Sequence, residues 1–417
     1  MLTKLFSSVW STLKESAAIS EKSEEGPNVN AFVGCPHSSS AAARPRVTLL
    51  TLEFPPHVGG LQQYLFEVSR ILGHSCDLTV LHSRGNPSLF NTEPFQLLAT
   101  GRKDGGRNPI SSIARPSLGI AVYEPLRLAR VLARLRPQII IVGHAHPRLL
   151  LPAAMSRRRY VAMVHGNDFE AAQLRWHAPI FNRLLAGAHP LVTNSRTNAL
   201  RLQALDLPPP EVVLPGTNPD RFTPPTSPPS RPPILPTVAR LVSRKGIDTV
   251  LRALPQILDQ TPGLQYWIVG SGPARHSLVQ LAQELQVAHA VRFMDSISDS
   301  ELPAFYQKAT IFVMTSRAEY HAGSVEGFGI VYLEASASGL PVVAGRSGGA
   351  AGEGLGKETG LLVPPDDPQA LTQALTRLLD DPALRQRLGS AGRRWVENEM
   401  NWDRVGRQFM SIIERAL

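Results

Sequence analysis

The sequence predicts an α/β protein: two Rossmann-like parallel-sheet domains facing each other across a cleft. Two observations predict it. Short runs rich in Val, Ile and Leu recur from residue 47 to residue 363, with stretches of helical period between them. That alternation is the pattern of βαβ units and a parallel sheet. It is interrupted once, by TPPTSPPSRPPILP at 223–236. Proline this dense continues neither a helix nor a central strand, and makes a semi-rigid spacer between two halves.

Residues 1–44 read as an N-terminal extension. Leu2, Leu5, Phe6, Val9, Trp10 and Leu13 recur at helical spacing, which fits either a frayed tail or a short amphipathic helix lying on a membrane. The Ser/Ala/Gly-rich stretch 21–43 is expected to be disordered. In the first domain, residues 45–222, strands are expected at 47–52, 77–82, 138–142, 160–164, 191–193 and 212–214, with helices at 62–72 and 126–135 among those between them. Residues 223–236 are the linker. In the second domain, residues 237–400, the alternation restarts with strands at 234–239, 266–269, 291–294, 311–314, 341–343 and 361–363.

Bulk properties narrow the class. The chain has 417 residues, 43 % of them hydrophobic, enough for two sizeable cores. No apolar run approaches the ~20 residues that span a bilayer, and the first residues lack a clean apolar signal core. A cytoplasmic protein is expected. Cys35 and Cys76 form neither a metal pattern nor a disulfide framework and read as reduced thiols. The net charge is +9, with 24 Lys and Arg against 15 Asp and Glu in residues 1–222 and 19 against 19 in residues 223–417. Residues 1–44 are neutral, 4 against 4, so the excess lies in the first domain. An anionic partner is one reading, an arginine-rich proteome the other.

In open parallel sheets ligands bind beyond the carboxyl ends of strands, so the loops just after strands carry the information. The first strand is followed by Gly59-Gly60 and a helix. A Gly pair there lets backbone N–H groups approach a phosphate, or simply makes a tight turn. The strand at 160–164 ends in His165-Gly166. That imidazole is placed to donate to a sugar hydroxyl or phosphate, or is a structural histidine. After the first strand of the second half come Arg240, Lys245 and Gly246 and then a helix expected at 247–254, two cations able to converge on a diphosphate or merely solvated. Ile268-Val269-Gly270-Ser271-Gly272 is another Gly-rich loop, uninformative alone. The richest segment is Glu326-Gly327-Phe328-Gly329-Ile330-Val331-Tyr332-Leu333-Glu334. The N–H groups of Gly327, Phe328, Gly329 and Ile330 open a helix ready for a phosphate. Glu334, about one turn in, can accept both hydroxyls of a ribose, and Glu326 can hold sugar hydroxyls.

These residues together resemble glycosyltransferase family 4, retaining enzymes of the GT-B architecture. The resemblance runs from about residue 47 to 402 and rests on Glu326 and Glu334, Arg240 and Lys245, Gly59-Gly60, His165-Gly166 and Pro215-Gly216-Thr217-Asn218. It implies a hexosyltransferase that moves mannose or glucose from a nucleotide-diphosphate sugar, such as GDP-mannose or UDP-glucose, to a lipid or saccharide acceptor. It implies that Arg240 and Lys245 bind the diphosphate, Gly60 approaches the phosphates, Glu334 holds the ribose, and Glu326 and His165 attend the transferring sugar. The backbone near Ile297 meets the base. No metal and no cofactor are required, since the two cations neutralise the diphosphate, and no nucleic acid is expected as partner. It also implies that the C-terminal helix, 401–417, crosses back to the first domain.

The loop 323–329 is nearest to members that mannosylate phosphatidylinositol-type lipids. The charge excess of residues 45–222, with the apolar stripe at 2–13, predicts an anionic lipid acceptor and peripheral attachment at the inner membrane face. One departure stands out. The Glu that usually follows Ser347-Gly348-Gly349 falls on Gly352, with Glu353 one later. Two other functions share parts of the pattern: a GT-B-type nucleotide-sugar epimerase or hydrolase, and a non-catalytic nucleotide-sugar sensor. The sensor reading is disfavoured because His165 and Glu326 are both present.

Overall fold

The computed structural model describes residues 44–417, apart from 56–58, 83–89, 100–117, 167–177, 227–231, 320–326, 348 and 357. The expectations for residues 1–43 lie outside the described residues. Strands β1 (Arg46–Thr51), β2 (Asp77–His82), β3 (Gln96–Ala99), β4 (Ile139–Val142), β5 (Arg159–Val164), β6 (Leu191–Thr193) and β7 (Glu211–Val212) form one sheet. Its order is β3-β2-β1-β4-β5-β6-β7, and every pair is parallel.

Successive side chains of a strand leave on opposite faces, and the apolar residues divide accordingly. Val47, Leu49, Ile139, Ile141, Val161 and Met163 join one core under α1 (Gly60–Ser75). Leu50, Ile140, Val142, Ala162 and Val164 join the other. That face is covered by α2 (Leu118–Leu135), α3 (Pro147–Met155) and α4 (Ala178–Ala186), through Leu128 and Leu132, Leu149 and Leu150, and Phe181 and Leu185. The short helix α5 (Arg196–Gln203) follows β6. All four residues of β4 are fully buried. That explains its unbroken apolar run, because a central strand covered on both faces has no solvent side. Each such side chain stabilises the fold by about 1.5–3 kcal/mol relative to exposure.

The second half holds β8 (Ile234–Val238), α6 (Ile247–Gln260), β9 (Gln265–Val269), α7 (Arg275–Glu284), β10 (Val291–Met294), α8 (Leu302–Gln307), β11 (Phe312–Met314), α9 (Ile330–Ala337), β12 (Val342–Gly345), α10 (Gly349–Gly352), β13 (Gly360–Val363), α11 (Pro368–Asp380) and α12 (Pro382–Glu399). Its strands form two three-stranded parallel sheets, β10-β9-β8 and β11-β12-β13.

Proline explains why the ladder breaks between β8 and β11. Gln265 N donates to Pro233 O and Ala239 N to Val269 O, so odd residues of β8 face β9. Ile234, Pro236 and Val238 face β11, and Pro236 has no N–H to give. Side chains bridge the gap instead. Thr310 Oγ1 accepts from Ile234 N at 3.1 Å, and the Thr237 hydroxyl donates to Val313 O. Pro236, the last residue of the expected linker and also within the strand expected at 234–239, sits inside β8 at the seam between sheets.

The last helix, α13 (Trp402–Ala416), packs on the first half. Val405, Phe409, Ile412 and Ile413 share a core with β1 and α1. The two helices meet closely: a Cβ on Gly406 would lie 2.3 Å from Ile71 Cγ2. The chain crosses where Thr217 bridges to Asn401, whose side chain caps α13 by accepting from Arg404 N. Arg393 of α12 secures this crossing by donating to Pro219 O and Ala337 O, both at 2.7 Å.

Candidate active site

Both halves place chemistry where the strand order reverses. In the first sheet the reversal lies between β1 and β4, and in the second half between β8 and β11. A crevice forms beyond the carboxyl ends at such a point. Gly60 follows β1, and His165 follows β5 beside β4. Arg240 and Lys245 follow β8, residues 327–334 follow β11, and Ile297 follows β10.

Gly60 opens α1, and a Cβ there would meet nothing within 4 Å, so the helix start faces open space. Arg240 is exposed. Lys245 is 8 % exposed, in a 3₁₀ turn that ends at Gly246. Gly246 has φ 66°, and a Cβ would lie 2.1 Å from Thr315 O, so only glycine fits there. Thr315 Oγ1 donates back to Gly246 O at 2.8 Å, and Arg317 N donates to Arg244 O at 2.8 Å. The loops after β8 and β11 are thereby one rigid unit. Ile297 is half-buried in the loop after β10.

Gly329 caps α9 in the left-handed region. Phe328 is buried in the second-half core, whereas Ile330 packs against the core of the first half. Gly327 presses on the first half too: a Cβ would stand 2.8 Å from His165 O and 3.2 Å from Asn194 Nδ2. Glu334 accepts from Tyr306 Oη at 2.9 Å. Burial pushes its carboxyl up to about 7, while the Tyr306 bond and the charge of Arg221 pull the other way. Glu326 lies outside the described residues.

His165 Nε2 lies 2.9 Å from Gly143 O, and since a carbonyl only accepts, this nitrogen carries a proton. Tyr64 braces the ring edge-on at 5.3 Å.

The motif reading missed His144. It is 5 % exposed, and its Nδ1 has no hydrogen-bond partner. Burial, then His146, His165 and His82, push its pKa well down, so it is neutral. The signal was His144-Ala145-His146 directly after the apolar strand. Glu353, noted only as displaced by one position, reaches across to α5: Glu353 Oε1 accepts from Arg196 N, and Oε2 lies 3.3 Å from Arg196 Nη1. Among the described residues no helix is long and apolar enough to cross a membrane.

Known proteins carry the same pattern. Residues 58–221 match Glycosyltransferase Family 4, and residues 220–395 match Glycosyl transferases group 1. A GDP-mannose-dependent alpha-(1-6)-phosphatidylinositol monomannoside mannosyltransferase of Mycolicibacterium smegmatis is 33 % identical over 382 residues, 88 % of this chain and 97 % of the relative. A GDP-mannose-dependent monoacylated alpha-(1-6)-phosphatidylinositol monomannoside mannosyltransferase of Corynebacterium glutamicum is 28 % identical over 393 residues, 89 % of this chain and 99 % of the relative.

Among solved structures, sucrose-phosphate synthase from Thermosynechococcus elongatus superposes with a TM-score of 0.73 at 24 % identity, covering 89 % of this chain and 99 % of the other. Anabaena HepE in complex with UDP and glucose gives 0.71 at 18 % identity, with coverage of 89 % and 99 %. These likenesses show the fold, a GT-B pair of Rossmann-like domains. The chain belongs to glycosyltransferase family 4 and is a glycosyltransferase that takes its sugar from a nucleotide-sugar donor.

Proposed function

We propose that the chain transfers a mannosyl residue from GDP-mannose to a phosphatidylinositol-type lipid, with retention of the anomeric configuration. The observation that carries the donor reading is that the loops after β8 and β11 are bonded to each other, Thr315 to Gly246 and Arg317 to Arg244. Arg240 and Lys245 lie on the first loop, and the N-terminus of α9 with Glu334 one turn further follows the second. A diphosphate fits the cations and the open N–H groups, and a ribose fits the carboxylate. The backbone at Ile297 takes the base, and Gly60 leaves room for the phosphates. The lipid acceptor rests on the names of the mycobacterial and corynebacterial relatives.

In this reading the bond from the sugar anomeric carbon to the phosphate oxygen breaks, and the acceptor oxygen attacks the same face. The leaving phosphate oxygen takes the acceptor hydroxyl proton, so GDP and an α-mannoside form. His165 meets one hydroxyl of the transferring sugar, and Glu326 holds another. Each donor aimed at developing charge contributes about 3–4 kcal/mol. The two cations neutralise the diphosphate, and we expect neither metal nor cofactor to be needed.

The first half offers a surface for an anionic membrane. Arg127, Arg130 and Arg134 are exposed along α2, Arg157, Arg158 and Arg159 are exposed beside it, and Leu151, Met155 and Ile180 are exposed apolar side chains. Each well-placed cation contributes about 1 kcal/mol at an anionic surface. We place the enzyme as a peripheral protein on the inner membrane face.

The test is direct. The purified chain is incubated with GDP-mannose and a phosphatidylinositol mannoside, and the product linkage is read by NMR. An α-linked product is expected. A β-linked product overturns retention, and free mannose alone, with or without acceptor, makes the chain a hydrolase.

A further inference from the structure

Among the polar ties between the two halves, one comes from Glu353, the residue next to the position where this sequence departs from the expected pattern. Helix α5 starts at the carboxyl end of β6 with Ser195 as its N-cap, whose hydroxyl accepts from Asn198 N at 3.2 Å. One side chain satisfies one of the helix's unpaired N–H groups. The N–H of Arg196 is satisfied from the opposite half, by Glu353 Oε1. The carboxylate has no exposed side-chain surface, whereas the Arg196 side chain is 69 % exposed. A carboxylate so buried is costly unless paired. Here the partners are a helix N-terminus and one guanidinium, and burial still pushes the Glu353 carboxyl up against both.

Glu353 follows α10 directly, and α10 leans on the donor loop. A Cβ on Gly349 would lie 2.3 Å from Gly327 O and 2.7 Å from Phe328 Cα. Gly327 in turn touches His165 O. The path Arg196–Glu353–Gly349–Gly327–His165 therefore closes a ring. Its two crossings between the halves are the Glu353 cap and the Gly327 contact.

We propose that Glu353 is a positioning residue: by capping α5 it holds the Gly327 to Ile330 segment of the donor half against His165 in the first half. Its carboxylate is engaged with Arg196. Glu353 acts through α10 on the donor-half segment. Removing the carboxylate leaves Arg196 N unpaired and frees α10, so the donor still binds its own half while the reacting groups lose their register. A misplacement of about 1 Å can cost ~100-fold in turnover. The exposed Arg196 side chain matters less, because the cap is made by its backbone.

The experiment compares Glu353→Ala, Glu353→Gln and Arg196→Ala in the full chain. Calorimetry with GDP, turnover of GDP-mannose with the lipid acceptor, thermal melting and small-angle scattering of the unliganded proteins are read in parallel. Glu353→Ala is expected to lower kcat by about 10- to 100-fold with GDP affinity within about twofold, and to scatter as a more open particle. Glu353→Gln keeps an acceptor for Arg196 N and is expected to restore most of kcat and the compact particle, and Arg196→Ala to stay near wild type. The proposal is overturned if Glu353→Ala keeps kcat, if Gln rescues nothing, or if GDP affinity and melting temperature fall in step with kcat. The turnover arm rests on the mannosyl-transfer reading. A wild-type chain inert toward GDP-mannose defeats that reading alone, since scattering needs no substrate and decides the latch by itself.

Discussion

Tyr306 tunes the proposed ribose carboxylate, and removing its hydroxyl gives a measurable displacement of a titration. Tyr306 is fully buried, and its Oη donates to Glu334 Oε2 at 2.9 Å. The bond opposes the burial that lifts the Glu334 carboxyl to about 7. A hydrogen bond to a charged group contributes about 1.5–3 kcal/mol, or roughly 1–2 pH units at 1.36 kcal/mol each. Tyr306→Phe should therefore push the carboxyl up further. Ribose hydroxyls bind a carboxylate more strongly than a neutral acid. GDP affinity of the wild type should then rise with pH through about 7, and the midpoint should move up in the variant. At pH 7 the variant should bind roughly 5- to 50-fold more weakly, with the gap closing as pH rises. Calorimetry from pH 5.5 to 9.5 reads both curves, and Glu334→Gln, with no carboxyl to titrate, subtracts the ligand's own protons. Equal midpoints in wild type and Tyr306→Phe would refute the coupling.

Arg240→Ala and Lys245→Ala should each weaken GDP binding by about 1.5–3 kcal/mol, as loss of a charge-assisted bond predicts; unchanged calorimetric affinity in both removes them from the site. Gly246→Ala should lower the melting temperature sharply, because the methyl meets Thr315 O in a left-handed backbone; a melt within 1 °C or so of wild type shows that the turn relaxes at little cost. Glu334→Gln should raise the melting temperature at pH 8 and barely at pH 5. A carboxyl held near 7 when folded favours the fold below the unfolded value of 4.5, and that contribution is lost as pH rises through 7. Arg127→Glu with Arg130→Glu should abolish sedimentation with anionic vesicles, and high salt should do the same to the wild type; retention on zwitterionic vesicles would point to apolar insertion instead.

Local periodicity made most elements legible. The expected strands at 77–82, 191–193 and 291–294 coincide with β2, β6 and β10. The misses share a cause. The helix expected from 126 begins at Leu118, with Pro125 inside it, and the helix expected to stop at 254 runs on to Gln260, through Pro255. Pro236 lies inside β8 too, there within the expected strand at 234–239. In each place the flanking apolar residues, Leu128 and Leu132, Leu254 and Ile257, Ile234 and Leu235, are buried in a core. That burial outweighs one missing N–H, so local breaker rules lose to tertiary packing. Short β3, at the sheet edge with Leu98 exposed, carried too little pattern to be seen.

The site divides along the same line. Glycines, cations and carboxylates that follow strands were legible, because their meaning depends on neighbours in sequence. The Glu353 bond to Arg196 joins residues 157 apart, and the Gly327 approach to His165 joins the two halves. Neither can be read from either segment alone. The buried ionisable groups tell how such a site persists. Lys245, His144, Glu334 and Glu353 are all wholly or largely buried, and each sits at the carboxyl edge of a sheet or against the opposite half. Lifting Glu334 from 4.5 to about 7 costs about 3 kcal/mol once the carboxyl is ionised. The cores on both faces of each sheet can absorb that cost. A donor whose ribose hydroxyls meet the carboxylate offsets part of it, so nucleotide binding and ionisation of Glu334 favour each other.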